Sequence, residues 1–226
     1  MTIWRAVWTM ARKDVAIEAR GKALYLAAVS YGALTVILLG FSVGQQRGLP
    51  ASWASGTLWL VEVLAALTSF TRLEDKERWD GGAIGAMAAP VDRSAVFFAR
   101  VLGNLLFVYA VECVTIPLFL WVLGVGWPVD GVAFVLAVLL GTVAFVSLGT
   151  FLTAVVAASS LREILAPVLL MPLAVPLFLA LVSLTAADFS PPDPFFHASV
   201  WWVVLAGYAG VFLVLPGLLF EIIVEV

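Results

Sequence analysis

Long apolar runs separated by short polar ones set the pattern of this chain. Six such runs lie at about 23–43, 53–71, 101–123, 131–158, 164–186 and 200–222. A helix needs about 20 mostly apolar residues to cross a hydrocarbon core roughly 30 Å thick, and each run is of that order. The runs are continuously apolar and do not alternate at every second position, which predicts helices and not barrel strands. The first, beginning ALYLAAVSYG, is too long for a signal-peptide core and is expected to stay in the mature chain.

The pieces between the runs have characters of their own. Residues 3–20 cannot span, yet Trp4, Val7, Trp8, Ala11 and Val15 recur at helical spacing, with Arg5, Arg12, Lys13 and Arg20 away from them. A helix with indoles on one side and cations on the other lies in the headgroup plane, so an interfacial elbow helix is expected there. The longest polar stretch, 72–100, opens with RLEDKERWDGG and continues through a short apolar piece to Pro90. It reads either as a solvated loop or as a docking helix for a soluble protein. The outer connections, 44–52, 124–130 and 188–199, are short and rich in Gly or Pro. The last carries Phe195 and Phe196, with Trp201 and Trp202 just after it, an aromatic belt by composition.

Composition confirms the class. Of the 226 residues 63% are hydrophobic and 12% charged, with a mean hydropathy of +1.10, too little polar material to cover a soluble fold. A net charge of −3 offers no face for nucleic acid. The 12 basic residues divide sharply. Arg5, Arg12, Lys13, Arg20 and Lys22 precede the first span; Arg72, Lys76, Arg78, Arg93 and Arg100 lie between spans two and three; Arg162 lies between four and five. Arg47 alone falls on the opposite side, so the positive-inside rule puts both termini in the cytoplasm. The expected architecture is an all-α integral membrane protein of six transmembrane helices with an N-terminal interfacial amphipathic helix.

Chemistry inside the spans is sparse. Glu62 and Glu112 fall near mid-bilayer, where a charge costs at least about 2.5 kcal/mol. Each is expected to be protonated, hydrogen-bonded to Ser, Thr or Tyr, or facing a wet cavity or partner chain. Span five holds Pro167, Pro172 and Pro176, each lacking a backbone donor and expected to bend the helix. Span four spaces small residues at Ala133, Ala137, Gly141, Gly149, Thr153 and Ala157, a weak signal for a dimer face. The lone Cys113 reads as a small buried side chain. His197, the single histidine, reads as interfacial or partner-facing rather than as a haem or metal ligand. One His and one Cys build no metal cluster, and no G-x-x-x-x-G-K-[ST] run exists to hold ATP. No enzyme is expected.

Several segments in order, RLEDKERWDGG with AAPVDRSAVFFARVL, LLGTVAFVSLGTFLTAV and LREILAPVLLMPLAVPLFL, resemble the cytochrome c maturation protein B family, the membrane subunit of the so-called haem exporter. Where that family often has an acidic residue after the loop glycine, this chain reads Ala83, Ile84 and Gly85. The resemblance implies a subunit like the ABC-2 type exporter membrane domains, placed in the cell inner membrane. It implies a homodimer paired with two copies of a separate ATP-binding subunit. It further implies a haem-handling membrane subunit and a small single-span protein as partners. Haem is then a possible cargo of the complex, ATP is bound by the partner, and this chain holds no cofactor of its own.

On that reading 72–100 is the coupling segment, with Glu74, Asp75, Glu77, Arg78 and Asp80 as contacts to the ATPase and Gly81–Gly82 setting its geometry. The competing readings are a permease for another cargo (drug, lipid or polysaccharide), a proton-coupled carrier using Glu62 and Glu112, and a structural scaffold.

Overall fold

The computed structural model describes residues 8–9, 23–43, 49–79, 93–156, 159, 161–189 and 198–223. Among them lie six long helices and no strand: α1 (Ala23–Val43), α2 (Ala51–Trp79), α3 (Arg93–Val122), α4 (Gly131–Val156), α5 (Arg162–Asp188) and α6 (Ala198–Ile223). Four of them, α1, α3, α4 and α5, are long and apolar enough to cross a membrane. In α2 and α6 the apolar stretches found among the described residues are shorter, Ala51–Leu67 and Val200–Val214. The chain is a multi-pass membrane protein.

Local chemistry sets several helix ends. α2 opens behind Pro50, whose carbonyl accepts from the Ala54 amide at 3.0 Å. Asp130 caps α4: its Oδ1 accepts from the amides of Val132 and Ala133 at 3.0 and 3.1 Å, satisfying donors that have no partner within the helix. Beyond α3 the chain turns through Gly124 at φ 63°, a left-handed conformation that suits a residue without Cβ.

Contacts between named residues fix the directions. Tyr25 meets Ala110, Gly32 meets Thr115 and Gly40 meets Val122, so α1 and α3 run parallel. α2 runs antiparallel to α5, with Ser55 bonded to Thr185 and to the Val182 carbonyl, and Trp59 Nε1 donating to Thr185 Oγ1 at 3.2 Å. α4 is antiparallel to α5, as the ring pairs Phe134–Phe189 and Phe145–Phe178 show. α4 packs most extensively on α5 and α6, while α3 touches α1, α2, α4 and α6. These two helices form the middle of the bundle. Three tyrosines staple neighbours by donating a hydroxyl to a main-chain carbonyl: Tyr25 to Ala110, Tyr109 to Leu139 and Tyr208 to Leu173.

Several expectations change. The small residues of α4 serve packing within the chain: Ala137, Gly141 and Gly149 are buried, and a Cβ on Gly141 would lie 2.5 Å from Leu181 and 2.9 Å from Trp59. Ala133 and Thr153 are half-buried, and Ala157 lies outside the described residues. Pro167, Pro172 and Pro176 stand within the helical run of α5, where a bend remains the expectation, and α3 and α6 likewise contain Pro117 and Pro216. The freed carbonyls are tolerated because neighbouring helices and side chains can serve them. Cys113 is exposed on α3, not buried.

Trp201 and Trp202 are only half-exposed and pack on the core. Besides Trp8 and Tyr31, the exposed large aromatics among the described residues are Phe41, Trp53, Trp121 and Trp127, and these four stand at the end that holds the α1–α2 and α3–α4 connections. α3 is already helical at Arg93, and α2 runs on through the charged run to Trp79. Of the expected elbow helix only Trp8 and Thr9 are described, both helical; the remainder, with Phe195, Phe196 and His197, lies outside the described residues.

Candidate functional site

A polar seam crosses the middle of the bundle where α2, α3 and α4 meet. Glu62 sits eleven residues into α2, about 16 Å from its start at 1.5 Å per residue, and Glu112 sits about 15 Å from the end of α3. Both positions are near the midplane of a core roughly 30 Å thick. Each carboxylate is held by a threonine. Thr115 Oγ1 donates to Glu62 Oε1 at 2.7 Å, and Thr142 Oγ1 donates to Glu112 Oε1 at 2.5 Å. Thr115 lies three residues beyond Glu112, on neighbouring positions of one helix face, so α3 joins the two acids into one cluster.

The seam continues toward the α2–α3 connection. Two turns from Glu112, Asn104 Nδ2 donates to Thr150 Oγ1 of α4 at 3.2 Å. Ser147 lies fully buried on α4 between the levels of Thr142 and Thr150. Toward the other end Phe119 and Leu120 of α3 and Phe134 of α4 are buried, while buried polar groups recur between α2 and α5 at Ser55, Trp59 and Thr185.

Satisfaction of these groups is incomplete. Glu62 Oε2, Glu112 Oε2, Asn104 Oδ1 and Ser147 Oγ are the buried side-chain polar atoms without a partner among the described residues. Three belong to the Glu62–Glu112 cluster and the Asn104–Thr150 pair, and Ser147 is buried on α4 at an intermediate level. Such atoms are rare in folded proteins because each loses water without recovering a bond. The arrangement is rich in acceptors and contains no nucleophile paired with a base. Among the described residues no three His, Cys, Asp or Glu side chains gather as metal ligands.

The sequence pointed to Glu62 and Glu112, and the structure brings them into one cluster. Thr115, Thr142, Asn104, Ser147 and Thr150 were missed. An amide in an apolar run, as at Asn104, is the signal that could have found the rest of the seam. Glu74, Asp75, Glu77 and Arg78, expected as contacts to an ATPase, lie on the helical backbone of α2, with side chains outside the described part. Asp80, Gly81 and Gly82 lie outside the described residues altogether. Pro172 and Pro176 are exposed on α5, far along the chain from the seam.

Comparison with known proteins settles the lineage. The family model described as CcmB protein matches residues 5–218, nearly the whole chain. The chain belongs to the CcmB protein family. A relative named Heme exporter protein B, from Rhodobacter capsulatus, is 30% identical over 164 residues, covering 73% of this chain and 75% of its own length. The seam and all six helices fall inside the span matched by the family model, save the last residues of α6.

Proposed function

We propose that this CcmB family member is the membrane-spanning subunit of an ABC transporter complex in c-type cytochrome maturation. A separate subunit hydrolyses ATP, and this chain transmits the resulting motion to haem export or to release of a haem-loaded chaperone. The family match over 5–218 carries the reading, and the name of the relative supplies the cargo. Six long helices, four of them long and apolar enough to cross and two with shorter apolar stretches, are compatible with six crossings, and the placement of Lys and Arg favours both termini on the cytoplasmic side of the inner membrane.

On this reading two copies associate with two ATPase subunits, and the haem-handling subunit and the small single-span protein complete the assembly. The charged end of α2 and the residues after it form the coupling segment, with Glu74, Asp75, Glu77, Arg78 and Asp80 in contact with the ATPase and Gly81–Gly82 shaping the turn. Support comes from density of charge: RLEDKERWD is the most polar stretch of a chain that is 12% charged, and its backbone extends α2. A motion delivered to such an extension passes directly to Glu62 and the centre of the bundle.

Pull-down of the tagged protein from native membranes should recover an ATP-binding subunit. Reversing charge in Glu77→Lys together with Asp80→Lys should reduce that recovery and the membrane-coupled ATPase rate. Unchanged binding and unchanged hydrolysis in the double variant would overturn the coupling assignment.

A further inference from the structure

The unpartnered buried atoms of the two acids and of Asn104 share one chemical demand. Glu62 Oε2, Glu112 Oε2 and Asn104 Oδ1 can only accept in their ordinary forms, and Ser147 Oγ can do either. The two hydroxyls nearest the acids, Thr115 and Thr142, already give their protons to the other carboxylate oxygens or, for Thr115, share one with the Val111 carbonyl at 3.1 Å. More oxygen lone pairs than protons are thus collected in a space that lipid tails cannot serve. What completes such a set is water together with a small cation.

We propose that this seam binds one monovalent cation, a proton or Na+, between Glu62 and Glu112, whose Oε2 atoms have no partner among the described residues. The geometry sets the place. Thr115, three residues beyond Glu112 on α3, holds Glu62, and both acids are 4% exposed, so their free oxygens face the interior and not lipid. Asn104, two turns from Glu112 toward the α2–α3 end, leaves a further acceptor free beside Thr150.

The surroundings supply no competing counter-charge by sequence. α1 carries only Tyr25 and Tyr31, α4 carries no titratable side chain, and α6 offers Tyr208 with Glu221 near its end. On α5 the ionisable residues Arg162, Glu163 and Asp188 stand at its two ends. On α3 itself Tyr109 gives its hydroxyl to the Leu139 carbonyl, Cys113 points outward, and Arg93 and Arg100 lie toward the α2–α3 end. On α2 the next charge after Glu62 is Arg72. The site belongs to this chain alone and does not depend on the ATPase assignment.

Dicyclohexylcarbodiimide, which partitions into membranes and adds to protonated carboxyls, tests it on the purified full-length protein in lipid nanodiscs, with the label located by mass spectrometry. Label should appear on Glu62 or Glu112 in preference to the exposed Asp130. If the ion is a proton, labelling falls as pH rises and ignores Na+. If it is Na+, labelling at fixed pH and ionic strength falls when Na+ replaces choline. Glu62→Gln should leave label on Glu112 and change its response to pH or Na+. No label on either glutamate at any pH, or labelling equal at every pH and Na+ concentration, would overturn the proposal. Either result leaves the permease reading as it stands, because no ATPase takes part.

Discussion

Gly32 of α1 and Thr115 of α3 meet so closely that a Cβ on the glycine would lie 2.6 Å from the threonine Cγ2. That methyl belongs to the side chain whose hydroxyl holds Glu62. A contact between two helices and the anchoring of a buried acid therefore share one residue.

Gly32→Ala should destabilise the protein by about 1–3 kcal/mol, the usual effect of overpacking a close contact. Thr115→Ser removes the offending methyl and keeps the hydroxyl, so the double variant should recover much of the loss. Thermal unfolding of the detergent-solubilised protein, followed by size-exclusion fluorescence, reads both. Additive effects in the two variants would show that the contact is not the cause.

The Asn104–Thr150 bond allows a second test. Thr150→Val alone leaves the Asn104 amide buried without its acceptor and should lower stability by about 1–3 kcal/mol. Replacing both partners, with Asn104→Leu and Thr150→Val, removes the stranded group and should be close to neutral. The same unfolding assay on the four members of the cycle gives the coupling.

A third expectation concerns depth. Trp53, Trp121 and Trp127 are 65%, 81% and 84% exposed at one end of the bundle, where an indole sits best at headgroup level. In nanodiscs, lipids carrying a quencher near the headgroup should reduce fluorescence more than lipids quenching at mid-chain. Trp121→Phe and Trp127→Phe should each shrink that difference. Equal quenching by both lipids would place these residues elsewhere.

The six helices were legible in the sequence because a long, continuously apolar run has to close its backbone hydrogen bonds within itself. Which side of each run faces inward was not. α4 is apolar all round, yet Phe134, Ala137 and Val138 are buried while Val135, Leu136 and Leu139 are exposed. The same blindness explains Cys113: one position from the buried Glu112, it points the other way. The spacing of small residues on α4 was visible, but whether they admit a partner copy or Leu181 and Trp59 depends on how the chain returns. Glu62 and Glu112 stood out because charge is rare in such runs; their threonines did not, since Thr115 and Thr142 gain meaning only when three helices are brought together.

α2 contains 29 residues without a break, about 43 Å at the standard rise, against a hydrocarbon layer of about 30 Å. Ser55 and Trp59 fasten one end to α5, and Glu62 fastens the middle to α3. Past Glu62 the buried Ala65 and Ala66 hold it for one more turn, and the helical backbone then continues to Trp79. One unbroken rod therefore ties the acidic and basic run at its far end, in register, to the carboxylate that Thr115 holds.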